Sequence, residues 1–417
     1  MVRRLLSITT LALAASLGAA CLGPAQAAED TIKIGYVDPL SGAFAQQGDA
    51  SLKHFAYLFE RINAEGGALG KKFEIVPYDS KLQPAEALIA LKSITDQNIP
   101  FIMHCAGSNV AAALIDGVSK HNARNPNNRV IYLNCGALAS DLTNDQCDFW
   151  HFRFDANTGM RAETLVRSLP KTLQSVYLIN QDYLFGQTLQ KETKLYLAKL
   201  RPDIKIVGEE LIPLGRVKDF SPYISKVKAS GAQAMITGNW GPDLNLMMKT
   251  SVEAGLDLSY YTYLAHVVGG ATSVGAMGEN RLFTVTEFHP NVPSEQKSAA
   301  GEEFVAKWRA SHDFDLFQMN NYALLKMLAS AINKAGSTDA YKVALALEGQ
   351  TVKDPMGHDY IMRKEDHQML EPLYAAQFVK DVKYDSEKTG FGWKTVTAVE
   401  AADLAQPTTC KMKRPAS

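Results

Sequence analysis

The sequence predicts an α/β protein made of two open, mostly parallel sheets, each flanked by helices, joined by a three-segment hinge. Three observations carry this. From Thr31 onward, short β-branched or apolar runs alternate with stretches of helical periodicity. The same alternation restarts after Phe152, and the chain then ends in two strand-like runs with no helix between them. Strand–helix alternation implies right-handed crossovers within parallel sheets, and such sheets bind ligands beyond the carboxyl ends of their strands.

Thr31 to Val37 alternates and is β-branched, which reads as a first strand ending in the turn Asp38–Gly42. Leu52, Phe55, Ala56, Phe59 and Ile62 then recur at helical spacing, with Asn63 to Gly67 as the stop. Phe73 to Tyr78 is a strand, Pro84 opens a helix bearing Leu88, Leu91 and Ile94, and Ile99 to Met103 is a buried strand. A helix starts at Val110, and Val130 to Asn134 is the fourth strand. In the second half, Ser175–Asn180, Ile204–Leu211, Ala234–Gly238 and Tyr260–Leu264 read as strands separated by helices. Leu282 to Thr286 is a further strand, and Tyr322 to Lys334 is a helix apolar on every face, hence buried. Leu373–Val379 and Trp393–Val399 close the pattern. The plan places crossings between halves near Arg153, Thr286 and Asp354, which makes a hinge and leaves both sets of strand ends facing one cleft.

The chain has 417 residues, 46% hydrophobic and 21% charged, with a formal net charge of −1, enough for two domains with ample core. The balance and the lack of a basic patch argue against nucleic acid. Arg3-Arg4, the apolar run Leu5–Leu17 and Ala25-Gln26-Ala27 make a signal peptide cleaved near Ala27, so the mature chain is expected in the periplasm. The run is shorter than the ~20 residues of a spanning helix. The competing reading, acylation at Cys21, meets Gly18 where a large aliphatic belongs. Cys105, Cys135, Cys147 and Cys410 remain, an even number for an oxidising compartment. Of three pairings the local one, Cys135–Cys147, is favoured, leaving Cys105–Cys410; free buried thiols are the alternative.

The stretch Ile99–Asp116 concentrates the functional signal. After its strand, Ala106-Gly107-Ser108-Asn109 turns into a helix, and Ser108 and Asn109 both read as N-caps. A helix N-terminus behind a parallel strand is an anion site for a carboxylate or phosphate. Gly66 to Lys72 has the wrong spacing for a phosphate loop and reads as a helix stop and turn. No GxSxG, HExxH or post-strand GxGxxG is present, the nine histidines are scattered, and no metal or cofactor is implied. No nucleophile has an evident base, so binding rather than catalysis is expected.

Several stretches sharpen this further. Ile32–Gly35 with Pro39–Gly42, Asn63–Gly70, Gln181–Gly186, Pro355-Met356-Gly357 and Met362-Arg363 with Asp366-His367-Gln368 together resemble type I periplasmic solute-binding proteins of ABC importers, in the branched-chain amino-acid branch. The resemblance covers nearly the whole mature chain and implies a two-lobed fold. The expected division is a signal peptide at 1–27, a first lobe of 28–152 plus 287–354, and a second lobe of 153–286 plus 355–417 whose tail is free to return to the first. It implies a monomer whose partners are an ABC permease and its ATPase at the inner membrane.

By the same resemblance, Ser108 matches the residue whose hydroxyl and helix end hold a ligand carboxylate, with Asn109 beside it. Gly136-Ala137 matches a loop whose backbone adds to that pocket. Tyr183, Phe185, Asn239 and Trp240 match cleft positions of the second lobe, and Gln47 joins the set from the first. Where family members place a Thr and an acid against the ligand ammonium, this sequence has Leu138 and His266. A buried ammonium without an anion is costly. The expected ligand is therefore an aromatic or other carboxylic acid lacking an α-amino group. The alternatives are branched-chain or other amino acids, or a sensing role for a membrane receptor.

Overall fold

In a computed structural model, residues 30–415 are described. The expected signal peptide, its cleavage site and Cys21 lie outside them. The first sheet is parallel throughout, in the order β2-β1-β3-β4-β5. Its strands are β1 (Ile32–Asp38), β2 (Phe73–Asp79), β3 (Phe101–His104), β4 (Ile131–Asn134) and β5 (His151–Arg153). Helices α1 (Ala45–Ala64), α2 (Pro84–Asp96) and α3 (Ser108–Arg124) make the crossovers. Phe55, Phe59 and Ile62 of α1 are buried at the spacing the sequence shows, whereas Ala56 is exposed and Leu58 takes its place on the face that packs on the sheet.

The second half runs α4 (Thr158–Ser168), β6 (Ser175–Gln181), α5 (Leu184–Leu200), β7 (Lys205–Ile212), α6 (Ser221–Ser230), β8 (Ala234–Thr237) and α7 (Gly241–Glu253). It continues through β9 (Ser259–Thr262), α8 (Gly270–Val274) and β10 (Leu282–Thr286). The chain then returns to the first core with α9 (Val292–Glu295), α10 (Ala299–Arg309), α11 (Asn320–Ala335) and α12 (Ala340–Leu347). The strands β11 (Thr351–Lys353), β12 (Asp359–Met362) and β13 (Met369–Leu370) form a small antiparallel sheet. Last come β14 (Leu373–Val379) and β15 (Gly392–Val399), antiparallel additions that complete the order β15-β14-β10-β9-β8-β6-β7.

Three passages link the halves, at Asp155, Glu287 and Glu371, each just beyond the end of a strand. The third corrects the expectation at Asp354: Tyr360, Met362 and Met369 are buried in the first core, so residues 355–370 stay there until β14 pairs with β10. The small sheet was missed because its strands run only two to four residues, too short for period-two alternation to register.

The cysteine pairing is also corrected. The bridges are Cys105–Cys135 and Cys147–Cys410, not Cys135–Cys147 and Cys105–Cys410. His104 sits opposite Asn134 in the β3–β4 ladder, so the next residues, both cysteines, emerge side by side with Cα atoms 4.5 Å apart. Parallel pairing, not sequence distance, decides the partner. The second bridge brings the tail back to the first lobe, where Met412 packs and Arg414 lies over Phe149. Cys105 and Cys135 are 30 residues apart, and closing a loop of that length stabilises by about 3.6 kcal/mol in the chain-entropy model. The C105A/C135A double variant should lose a comparable amount in urea unfolding; a loss under about 1 kcal/mol would contradict this account.

Candidate functional site

The carboxyl ends of the two sheets enclose a cavity of about 90 Å³. That is several times the ~10–15 Å³ one water needs on the same measure, which suits a small molecule. Gln47, Ser108, Gly136, Ala137, Tyr183, Phe185, Trp240 and His266 all line it. Asn109 and Asn239 do not. Asn109 Oδ1 instead accepts the Leu184 backbone N–H at 3.3 Å, a link from the first lobe to the start of α5. Asn239 is buried behind the wall, its amide nitrogen directed at Met247 Sδ.

On the first lobe, Ser108 opens α3 but does not cap it, contrary to the sequence reading. The cap is Gly107, with φ of +93°, where a Cβ would come within 2.7 Å of the Leu82 side chain. Ser108 Oγ accepts the Ala139 N–H at 3.3 Å and so keeps its own proton for donation into the cavity. The first N–H groups of α3 lack intrahelical acceptors and carry the positive end of the helix dipole.

The neighbouring loops spend their N–H groups internally. Asn134 Oδ1 takes those of Gly136 and Ala137, at 3.2 and 2.8 Å. Asp38 Oδ1 takes those of Cys105 and Ala106, at 3.3 and 2.8 Å. Gly136-Ala137 therefore lines the cavity with its own N–H groups turned to Asn134. Burial pushes the Asp38 carboxyl up to about 6, while the Tyr36 hydroxyl and these N–H groups favour its ionised form.

On the second lobe, Tyr183 ends the loop after β6 and Trp240 the loop after β8. The Trp240 indole N–H donates to the Tyr183 hydroxyl at 2.8 Å, and Phe44 of the first lobe packs on Trp240 with ring centroids 4.6 Å apart. The Phe44 contact joins the two lobes across the cleft, and both contacts bury the aromatic wall.

The hinge side holds the largest surprise. Arg161 of α4, 1% exposed, donates to Asp155 Oδ1 at 2.6 Å and to Glu287 Oε2 at 2.8 Å, and to the Val285 carbonyl at 3.1 Å. Glu371 completes the group, accepting the Ala156 N–H at 2.5 Å. Each interlobe passage thus carries one buried acid near a single arginine, with Asp155 and Glu287 in direct contact with it, and Asp155, Arg161 and Glu287 line the cavity. Three carboxylates exceed the one guanidinium in direct contact, the buried Arg153 charge acting on Asp155 from further off. Burial pushes Glu287 up to about 7, with Arg161 opposing and Asp155 adding to the rise. Burial also raises Asp155 and carries Glu371 well above its ordinary value.

His266 Nδ1 meets Thr284 Oγ1 at 3.0 Å, and its Nε2 lies 3.9 Å from Glu287. Burial and the Arg161 charge hold the imidazole neutral, well below its usual range. An acid, Glu287, thus lies beside His266 on the cavity wall. Sequence reasoning missed Asp155, Arg161, Glu287 and Glu371. The available signal was the acid placed one or two residues past each strand end at a crossing.

Among the described residues no cluster of His, Cys, Asp or Glu is suited to a metal ion, and no helix is long and apolar enough to cross a membrane. A cleft between two parallel-sheet lobes, with a helix N-terminus on one wall and buried acids at the hinge, defines a two-lobed small-molecule binding protein. The model of the family described as "Periplasmic binding protein" matches residues 31–383, and the chain belongs to that family, in its branched-chain amino-acid type of solute-binding proteins. The chain is 32% identical over 408 residues to "Leu/Ile/Val-binding protein homolog 4" of Brucella melitensis, covering 94% of this chain and 95% of the relative. It is similar to the closed "Leucine-, isoleucine-, valine-, threonine-, and alanine-binding protein" of Brucella ovis, with TM-score 0.82, 29% identity, and 93% and 100% of the two chains covered. A solute-binding protein of R. palustris in complex with benzoate shares the fold at TM-score 0.76 and 17% identity, over 92% and 100% of the chains. The relatives are binding proteins of transporters, not enzymes.

Proposed function

We propose that the protein captures a small amino acid, its carboxylate at Ser108 and the start of α3 and its ammonium at the Asp155–Glu287 edge, by closure of the two lobes. The observation that carries this reading is the excess of buried carboxylate around Arg161 on the cavity wall. One guanidinium cannot neutralise Asp155, Glu287 and Glu371 together, and a ligand ammonium supplies the missing charge in place of a proton. The ground for excluding an α-amino group was the pair Leu138 and His266, and Glu287 beside His266 removes that ground. The similarity to Leu/Ile/Val-binding protein homologues supports the same reading.

The second reading, a carboxylic acid without an amino group, is favoured by one observation: with Glu287 raised to about 7, the acid edge can stay neutral by holding protons. An aromatic acid would then lie among Tyr183, Phe185 and Trp240. Calorimetry with leucine and threonine against benzoate separates the two readings, and a response to benzoate alone overturns the first. Ser108→Ala should weaken the ligand that binds by about 1–3 kcal/mol, the worth of a hydrogen bond to a charged group. An unchanged dissociation constant, with folding intact by circular dichroism, removes Ser108 from the site. Micromolar affinity requires only about −8 kcal/mol.

The place of action in this proposal is the periplasm, after removal of the leader near Ala27. There the closed monomer would present its ligand to a membrane permease and its ATPase. Chromatographic mass and N-terminal sequencing of the exported protein test both points.

A further inference from the structure

One polar group on the cavity wall is left without a use. Gln47 of α1 is buried, its Nε2 and Oε1 are both shielded from solvent, and neither has a hydrogen-bond partner. It lines the cavity and sits under the Trp240 loop, where a Cβ on Gly241 would lie 3.3 Å from its amide carbon. The other neutral polar side chains around it are engaged. Ser51 Oγ accepts the Gln318 amide N–H at 3.1 Å, and Gln318 Oε1 pairs with His54 Nδ1 at 3.0 Å. Ser108 Oγ and the Tyr183 hydroxyl each accept one N–H, as described above.

Buried polar side-chain atoms are seldom left unpaired, and an orphan amide beside a cavity calls for a partner inside it. A purely aliphatic ligand would leave both Gln47 atoms empty, whereas a leucine or methionine at this position would have suited such a ligand without that penalty. The partner must offer a donor, an acceptor or both, because a primary amide presents both. It need not be charged: among the described residues, apart from Asp155, Arg161, Glu287 and the neutral His266, no ionisable group other than the Tyr183 phenol lines the cavity.

We infer that the ligand carries a neutral hydrogen-bonding group on its side chain, an amide or a hydroxyl held by Gln47, so that the protein selects polar uncharged amino acids over aliphatic ones. This rests on the amino-acid reading above. Sites built to hydrogen-bond a ligand group reject analogues lacking it far more strongly than apolar pockets reject an extra methylene.

The test is calorimetric binding of glutamine, threonine, leucine and benzoate to the wild-type protein and to Gln47→Leu, with Gln47→Met as the near-isosteric control should the leucine variant fold poorly. Glutamine or threonine should bind the wild type at least ~10-fold more tightly than leucine, and either variant should shrink or invert that ratio. If leucine binds the wild type as tightly as both polar amino acids, or the ratio survives the substitution, the inference is overturned while the amino-acid reading stands. If benzoate binds and no amino acid does, both fall.

Discussion

Arg161→Met is expected to lower the free energy of unfolding by about 3–5 kcal/mol at pH 7.5, the usual cost of removing one partner from a buried ionic group. Among the described residues the Arg161 guanidinium is the one Lys or Arg cation ion-paired to Asp155 and Glu287, all three are buried, and its loss leaves like charges facing each other. The deficit should shrink as the pH falls towards 5. Glu287 and Glu371 have folded-state values raised above their unfolded ones. Stability from protonation of Glu287 is therefore present below its unfolded value and is lost as pH rises through about 7, and the Glu371 contribution is likewise lost as pH rises. At pH 5 Glu287 holds a proton in the folded variant and needs no counter-charge; at pH 7.5 it must bear an unpaired charge or take up a proton at a cost. Comparing the variant with wild type by urea unfolding at the two pH values cancels the opposing contribution of buried neutral histidines such as His54 and His289, which favours the folded state at higher pH. A loss below 1 kcal/mol, or one equal at both pH values, would show that the acids do not depend on Arg161.

The second large effect concerns the ligand. Glu287→Gln should weaken an amino-acid ligand by about 2–3 kcal/mol, some 30- to 150-fold, as expected when one member of a desolvated charge pair is removed. Asp155 remains to pair Arg161, so the fold should survive. The pH dependence gives the finer discrimination. In the ligand-free protein Glu287 binds a proton below about 7, with Asp155, Glu371, Arg161 and His266 around it. An ammonium favours the ionised carboxylate, so binding releases that proton, and affinity should fall with pH below 7 by up to tenfold per unit. Glu287→Gln should flatten this slope. A ligand without an amino group binds best when the acids are neutral, so its affinity should hold or rise as pH falls. A slope of that sign in wild type would favour the carboxylic-acid reading.

How far the chain was readable can be judged from particular residues. The parallel α/β plan followed from local patterning, because β-branched runs such as Ile32–Asp38 and the helical spacing of Phe55, Phe59 and Ile62 bury the same faces they display in sequence. Ser108 was visible because a helix start behind a buried strand is itself a local feature. Its hydroxyl was nonetheless misassigned as a cap, since the left-handed Gly107 takes that position and Ala139, 31 residues away, uses the oxygen.

What local patterning determines here is the set of strands and helices, the two halves and the aromatic and helix-end walls of the cleft. It does not reach pairings between distant segments. Cys105 meets Cys135 through the register of β3 and β4, and the acids Asp155, Glu287 and Glu371, up to 216 residues apart in the numbering, converge on Arg161 because three strand ends pass through one hinge. Charge balance at a site is a property of residues gathered in space, and no window of sequence contains them together.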